Sequence, residues 1–251
     1  MTEPEAETPA RRRIRFSLLD LFYPRDCLIS GAPLGNSTFR YISDEVAARL
    51  PMIRDPRCPC CGHPFFGAIE DGPVCVHCED LDPAFETGRC GYLLSRDCRT
   101  LVHSFKYERK RYLAPDLARL LAAAPGFLDF LDGAVVVPVP IHPRKLRRRG
   151  FNQTEEILRH LAGHIPGGLD VRPLLRRTVD TVSQTRANRK ERMKRVRDAF
   201  ALDEDAPLPE RHARCVLFDD IFTTGATLNA CAEVLRSAGL LRIDAAAFAH
   251  G

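Results

Sequence analysis

Three apolar-rich stretches of the chain read as strands, and a continuous run of β-branched and small apolar residues predicts burial on both faces. GAVVVPVP (133–140) is such a continuous run, stopped by its prolines; CVLFDDI (215–221) reads as a second buried strand and RIDAAAFAH (242–250) as a third strand. Helical periodicity separates them. NQTEEILRHLAGH (152–164) sets Ile157, Leu158 and Leu161 on one face, and TTGATLNACAEVLRSAG (223–239) opens on Thr and closes on Gly239, as a helix capped at both ends should. Upstream, RCGYLLSR (89–96) reads as a strand, and CRTLVHSFKY (98–107) and PDLARLLAAA (115–124) read as helices. LDVRPLLRR (169–177) reads as a strand that its proline confines to a sheet edge. Strands alternating with helices predict an α/β fold, a mostly parallel sheet flanked by helices, with ligands beyond the carboxyl ends of its strands. Residues 14–57 show short apolar stretches broken by Pro, Gly and Ser, with no visible repeat. Residues 178–197 are almost wholly polar and basic, with neither a strand face nor a helix face.

The cysteines divide the chain. Of ten, eight lie between Cys27 and Cys98, and only Cys215 and Cys231 lie beyond. Cys58 and Cys61, then Cys75 and Cys78, form two C-x2-C knuckles, the spacing with which four thiolates surround one tetrahedral zinc ion. A closed four-cysteine set predicts structural zinc, and metal binding would supply folding energy that a segment this small and Gly/Pro-rich lacks. Cys60 interrupts the first knuckle without matching its spacing, and Cys27, Cys90 and Cys98 have no partner at knuckle distance. His63 and His77 are candidate substitute ligands, read in preference as solvent-facing bystanders. EDLDPAFETG (79–88) reads as an acidic linker. The expected organisation is a flexible tail at 1–14, an N-terminal region at 15–88 whose zinc module has its core at 58–78, and a body at 89–251.

Composition narrows the class. With 251 residues, 45% of them apolar, the chain can bury a real core, and no run is long and apolar enough to span a membrane. The start of the sequence lacks a signal-peptide pattern, so a cytoplasmic protein is expected, with thiols kept reduced. The formal charge of +4 hides an uneven distribution: from His142 to Arg197 sixteen Lys and Arg face five Asp and Glu. Such a basic middle predicts an anionic partner, a phosphate compound or nucleic acid.

The sharpest chemical signal is VLFDDIFTTGATLNA (216–230). A hydrophobic strand delivers Asp219 and Asp220 to the sheet's carboxyl edge, and Thr223-Thr224-Gly225-Ala226-Thr227 then turns into a helix. Small residues at a helix N-terminus let backbone N–H groups approach a phosphate, and neighbouring carboxylates suit hydroxyls, a combination matching a ribose 5-phosphate.

These residues resemble the phosphoribosyl pyrophosphate (PRPP) signature of type I phosphoribosyltransferases. The whole chain from about residue 15 is similar to the ComF family, associated with competence and DNA uptake. The supporting stretches are VVPVPIHPRKLRRRGFNQ (136–153), SQTRANRKERMKRVRDAF (183–200) and HSFKYERKRYLAPDLARLLA (103–122). The resemblance implies a type I phosphoribosyltransferase fold behind a small N-terminal zinc module with four cysteine ligands. It implies that Asp219 and Asp220 are the catalytic pair holding the ribose 2′- and 3′-hydroxyls, and that Thr223, Thr224, Gly225, Ala226 and Thr227 cradle the 5′-phosphate. Val139 and Pro140 would form the pyrophosphate-side loop, with Arg149, Gly150, Asn152 and Gln153 close behind. Residues 178–197 would be a hood closing over PRPP, with Arg186, Arg189 and Lys190 on the pyrophosphate. The implied cofactors are structural zinc and magnesium. The implied activity is transfer of phosphoribosyl from Mg–PRPP to an unidentified acceptor. The alternative is a weakly active or inactive protein of that fold handling single-stranded DNA through its basic surface, or docking with competence machinery; oligomeric state is not indicated. Two positions depart from the family: Ser30 stands where a further knuckle sulfur is expected after Cys27, and Arg195 where an Asn is usual.

Overall fold

The computed structural model describes residues 25–65, 75, 77, 78, 81–108, 110–180 and 198–251. The expected tail at 1–14 and all but 178–180 of the expected hood, including Arg186, Arg189 and Lys190, lie outside the described residues.

The apolar runs become the sheet. Strands β1 (Gly88–Leu93), β2 (Val135–Pro138), β3 (Asp170–Val171), β6 (Arg214–Phe222) and β7 (Arg242–His250) pair in parallel, in the spatial order β1-β7-β6-β2-β3. The strands read as buried on both faces are central. Along β6, Val216 and Phe218 enter one core layer and Cys215 and Leu217 the other, as the two-residue period of a strand requires. One layer holds α2 (Arg96–Tyr107), α3 (Ala114–Ala123), α4 (Phe127–Leu131) and α6 (Gln153–Leu161); the other holds α7 (Ala226–Ser237). The chain leaves β2 outward to β3, then returns to β6 and proceeds the opposite way to β7. The crevice between β2 and β6 is therefore the topological switch point, where ligands of such sheets bind.

Three expectations are revised. LDVRPLLRR is two strands: β3 edges the main sheet, while β4 (Leu175–Arg177) pairs antiparallel with β5 (Phe200–Leu202) in a separate ribbon. Pro173 lies between them, where its missing N–H costs no ladder bond. The basic run after Pro143, read only as charge, is helix α5 (Pro143–Arg149), with Pro143 at its first turn, the His142 ring accepting from Arg144 N, and Gly150 ending it at φ 84°. Residues 81–88, within the expected linker, are pinned to the body. Leu81 and Phe85 are buried, Ala84 N donates to Asn229 Oδ1 at 2.6 Å, and Thr87 N and Oγ1 donate to Asp244. Arg214 donates to the same Asp244 carboxylate at 2.7 Å.

The segment without a visible repeat contains one. RDCLISGAPL (25–34) folds as PRCPCCGHPF (56–65) does. Cys27 N donates to Ala32 O and Cys58 N to His63 O, both at 2.7 Å; Gly31 N donates to Cys27 O and Gly62 N to Cys58 O, both at 2.8 Å. Asp26 bridges Pro33 as Arg57 bridges Pro64, and both turn glycines have positive φ, 68° and 74°. The chain thus carries two knuckles of one backbone design. The first is followed by helix α1 (Asp44–Arg49) and packs on α2 and α3 through Leu34, Ile42, Val46 and Leu50. The second docks on the β1 edge, with Gly88 N donating to Pro59 O at 2.9 Å. At Gly88 a Cβ would lie 2.3 Å from Cys60 O, so the two backbones meet this closely only through glycine.

Candidate functional site

β2 ends its pairing with β6 at Pro138–Phe218, whereas β6 continues beside β7 to Phe222. Asp219 and Asp220 therefore lie on the stretch of β6 whose β2 flank is open. As neighbours on a strand they leave it on opposite faces. Asp220 turns to α2, where Lys106 Nζ meets its Oδ1 at 2.8 Å. Asp219 turns to the α7 side, within the electrostatic reach of Arg177 on β4 and Cys231 on α7. Its Oδ1 accepts the Asp220 backbone N–H at 2.8 Å. Burial, reinforced by Asp220, pushes Asp219 up to about 7 against the pull of Lys106. Burial works against the charge of Lys106 as well, but Asp220 and Asp219 outweigh it and hold the ammonium above its ordinary value.

The Thr223–Thr227 stretch follows directly. Helix α7 begins at Ala226, later than the sequence pattern indicated, because Gly225 takes a left-handed φ of 74° at the N-cap. The first N–H groups of a helix have no intrahelical partner, and together with its dipole they favour an anion. Ala226 N is met by Thr224 Oγ1 at 3.4 Å. Across the crevice, Val139 N donates to Phe218 O, and Val139 O accepts from Thr154 Oγ1 at 2.9 Å and Asn152 Nδ2 at 3.3 Å. The start of α6 thus fixes the Val139–Pro140 turn. Arg149, at the end of α5, lies over the Tyr107 ring at 4.9 Å, and its Nε is buried without a hydrogen-bond partner. Burial lowers its affinity for the proton, with Tyr107 and Asp220 opposing. Buried guanidinium donors are normally satisfied, so Arg149 is a donor suited to an anionic group. Arg144, Arg147 and Arg148 stand exposed on α5.

The structure therefore gathers Asp219, Asp220, Thr223 to Thr227, Val139, Pro140 and Arg149 around one crevice. It adds Lys106, Tyr107 and Arg177, to which the sequence reading gave no role. Lys106 and Tyr107 lie in the HSFKY stretch, but nothing in one sequence says that a helix from the far side of the sheet ends at the acidic pair.

The four-cysteine set fits zinc. Cys58, Cys61, Cys75 and Cys78 sulfurs lie within 4.8 Å of one another, with Cys58 to Cys78 at 3.9 Å and Cys61 to Cys75 at 3.8 Å. Tetrahedral zinc with sulfur at about 2.3 Å sets sulfurs about 3.8 Å apart. Four thiols this close cannot all ionise by themselves. Hydrogen bonding from Cys78 foremost pushes Cys61 down to about 3, while burial pushes Cys75 up to about 12. A divalent cation would hold all four as thiolates. None of the ten cysteines forms a disulfide.

His63 and His77 are not solvent-facing. They stack at 4.0 Å between centroids, and His250 meets them edge-on at 4.9 and 5.0 Å. His250 in turn stacks on Phe222 at 5.0 Å and 16°. Phe222 immediately precedes the Thr223–Thr227 loop, so a continuous set of rings joins the metal module to the candidate phosphate site. Leu81 adds a second link: a Cβ at Gly225 would lie 2.8 Å from its Cδ2.

A family model described as a double zinc ribbon domain matches residues 18–79. The DNA utilization protein YhgH of Salmonella typhimurium is 29% identical over 89% of this chain and 96% of its own length. Competence protein F of Haemophilus influenzae is 26% identical over 70% of this chain and 84% of its own. Competence protein ComFC of Streptococcus pneumoniae is 31% identical over 41% of this chain and 42% of its own. A hypoxanthine phosphoribosyltransferase of Staphylococcus aureus superposes on 56% of this chain and 62% of its own at 13% identity, with a TM-score of 0.29 too low to argue from. No helix among the described residues is long and apolar enough to cross a membrane.

Proposed function

The chain belongs to the ComF family, with a parallel α/β sheet behind an N-terminal zinc ribbon, and on that premise we propose that the sheet serves as a phosphoribosyltransferase, binding Mg–PRPP and transferring its phosphoribosyl group. The observation that carries the reading is the acidic pair on the open flank of β6, one turn from a glycine-capped helix N-terminus and faced by Lys106, Arg149 and Arg177. Carboxylates accept hydrogen bonds from the two ribose hydroxyls, the α7 N-terminus takes the 5′-phosphate, and Arg149 faces the pyrophosphate. Magnesium arrives with the pyrophosphate as part of the substrate. The acceptor's nucleophile bonds to ribose C1 while the C1–O bond to pyrophosphate breaks and its electron pair leaves with pyrophosphate. Because that path passes close to an oxocarbenium ion, catalysis consists of positioning and of stabilising the departing charge.

The names of the relatives point to the process served, DNA utilisation or competence, and the acceptor is accordingly sought among nucleotide- or DNA-derived compounds. A second reading, nucleic acid held on α5, draws on the exposed Arg144, Arg147 and Arg148, and it is compatible with the first because α5 borders the same crevice.

Calorimetric titration of Mg–PRPP into the zinc-loaded protein tests the proposal, with the Asp219→Asn/Asp220→Asn double variant as control. Hydrogen bonds to charged groups contribute about 1.5–3 kcal/mol each, so removing two carboxylates is expected to weaken binding by more than a hundredfold. A folded wild type that takes up no PRPP, or a double variant that binds as the wild type does, sinks the reading.

A further inference from the structure

Lys106 makes a direct ion pair with the acidic pair. Its ammonium, on the last turn of α2, reaches across the core layer to Asp220 at 2.8 Å, with 18% and 11% of the two side chains exposed. Resting on the PRPP reading, we infer that Lys106 is the positioning residue of that pair: it anchors Asp220 toward α2 and weakens the pair's hold on a proton, leaving acceptors for the ribose hydroxyls. Two adjacent buried carboxylates repel each other, and burial favours their neutral forms, so a site built only of Asp219 and Asp220 would take up a proton and lose its acceptors. The other titratable or charged groups facing the pair are Tyr107 on α2, Arg149 on α5, Arg177 on β4 and Cys231 on α7. Arg149 and Arg177 favour the charged pair, burial keeps the Cys231 thiol neutral, and Lys106 meets the Asp220 carboxylate at 2.8 Å.

The experiment compares wild type, Lys106→Met and Lys106→Arg in two measurements. Carboxyl 13C NMR of the Asp side chains reads the protonation of the pair without any ligand, and Mg–PRPP affinity between pH 6 and 9 reads its consequence. An opposite charge at contact moves a carboxyl by roughly 1–3 pH units, so in Lys106→Met both midpoints are expected to rise by about 1–2 units, with Lys106→Arg restoring most of the wild-type profile. Binding would then be lost at neutral pH and recovered at high pH, which a merely structural lesion would not do. Carboxyl titrations that coincide in wild type and Lys106→Met overturn the assignment. A wild type that shows the titration shift but binds no PRPP would leave Lys106 in place and remove the phosphoribosyl reading instead.

A separate observation concerns the first ribbon. We propose that it is a zinc knuckle whose metal has been replaced by protein contacts, so that the chain binds one zinc, not two. Superposing its hydrogen bonds on those of the second knuckle puts Cys27 at the place of Cys58 and Ser30 at that of Cys61. The returning pair, Ser43 and Val46, has the two-residue gap of Cys75 and Cys78. Ser43 N donates to Cys27 Sγ at 3.3 Å, Ser43 Oγ caps α1 by accepting from Val46 N at 3.2 Å, and Val46 is wholly buried. One thiol, two hydroxyls and an isopropyl group are no donor set for zinc. The folding energy comes instead from burial against α2 and α3, and from Asp116 of α3, whose carboxylate accepts Arg40 N and Tyr41 N at 2.9 and 2.7 Å. Elemental analysis of the full chain is expected to give one zinc in the wild type and in Cys27→Ala, and two after Ser30→Cys/Ser43→Cys/Val46→Cys. Two zinc ions in the wild type, falling to one in Cys27→Ala, overturn the proposal, as does a folded triple variant that stays at one.

Discussion

Removing the zinc, by chelation or by Cys61→Ser, is expected to lower the melting temperature sharply and to abolish Mg–PRPP binding although no PRPP-site residue is touched. The second ribbon has little core of its own. Its packing passes through Leu81 and Phe85 into the layer that holds α7, and through His63 and His77 onto His250 and Phe222. Structural zinc contributes about 10–16 kcal/mol to folding in isolated ribbons; at about 2–4 °C per kcal/mol for a chain of this size, losing even ~4 kcal/mol lowers Tm by roughly 8–16 °C. The effect on binding follows from position. Leu81 and Phe222 are the two side chains pressed against Gly225, so on the proposed reading they set the angle at which the α7 N-terminus would meet the phosphate. Differential scanning calorimetry and PRPP titration of the same zinc-free sample decide the matter. A zinc-free protein that melts early but binds PRPP normally would show that the ring stack is packing without consequence for the loop.

Gly225→Ala is expected to be nearly as damaging. A Cβ there would lie 2.8 Å from Leu81 Cδ2 and 2.9 Å from Phe222 Cζ, at a φ of 74°. The left-handed backbone costs an alanine roughly 1–2 kcal/mol, and overpacking adds about 1–3 kcal/mol. Relief of the clash must move the loop or one of the two side chains, so PRPP affinity is expected to fall at least tenfold. Gly133→Ala separates the two contributions: Gly133 has a φ of 65° but nothing within 4 Å of its would-be Cβ. It should lose only the backbone part of the stability and none of the affinity. Equal PRPP affinity in Gly225→Ala and wild type would mean that the loop is not held by this contact.

Much of this architecture was legible in one dimension. The runs around Val136, Phe218 and Ala247 are apolar on both faces because they lie mid-sheet, and apolar continuity is a local property that survives in sequence. The cysteine knuckles were legible because tetrahedral coordination by two loops needs a fixed short spacing. The repeat of the knuckle was present as C-x3-G-x-P at Cys27 and Cys58, but it was hidden by the loss of the other cysteines of the first copy. What marks it is the pair of glycines, Gly31 and Gly62, that the turn requires. Helix α5 was masked because five of its seven residues are basic and no apolar face remains to show a period.

Local order along the chain was enough to specify the strands, the caps, the metal ligands and the acidic pair followed by its small-residue turn, since each rests on neighbours within a few positions. What faces those residues was settled only when the chain packed. The ammonium of Lys106 reaches Asp220 from a helix more than a hundred positions earlier, and His250 lies between the metal module and Phe222. Such contacts depend on the order of strands in the sheet, and that order is set by how whole faces bury against one another rather than by any local pattern.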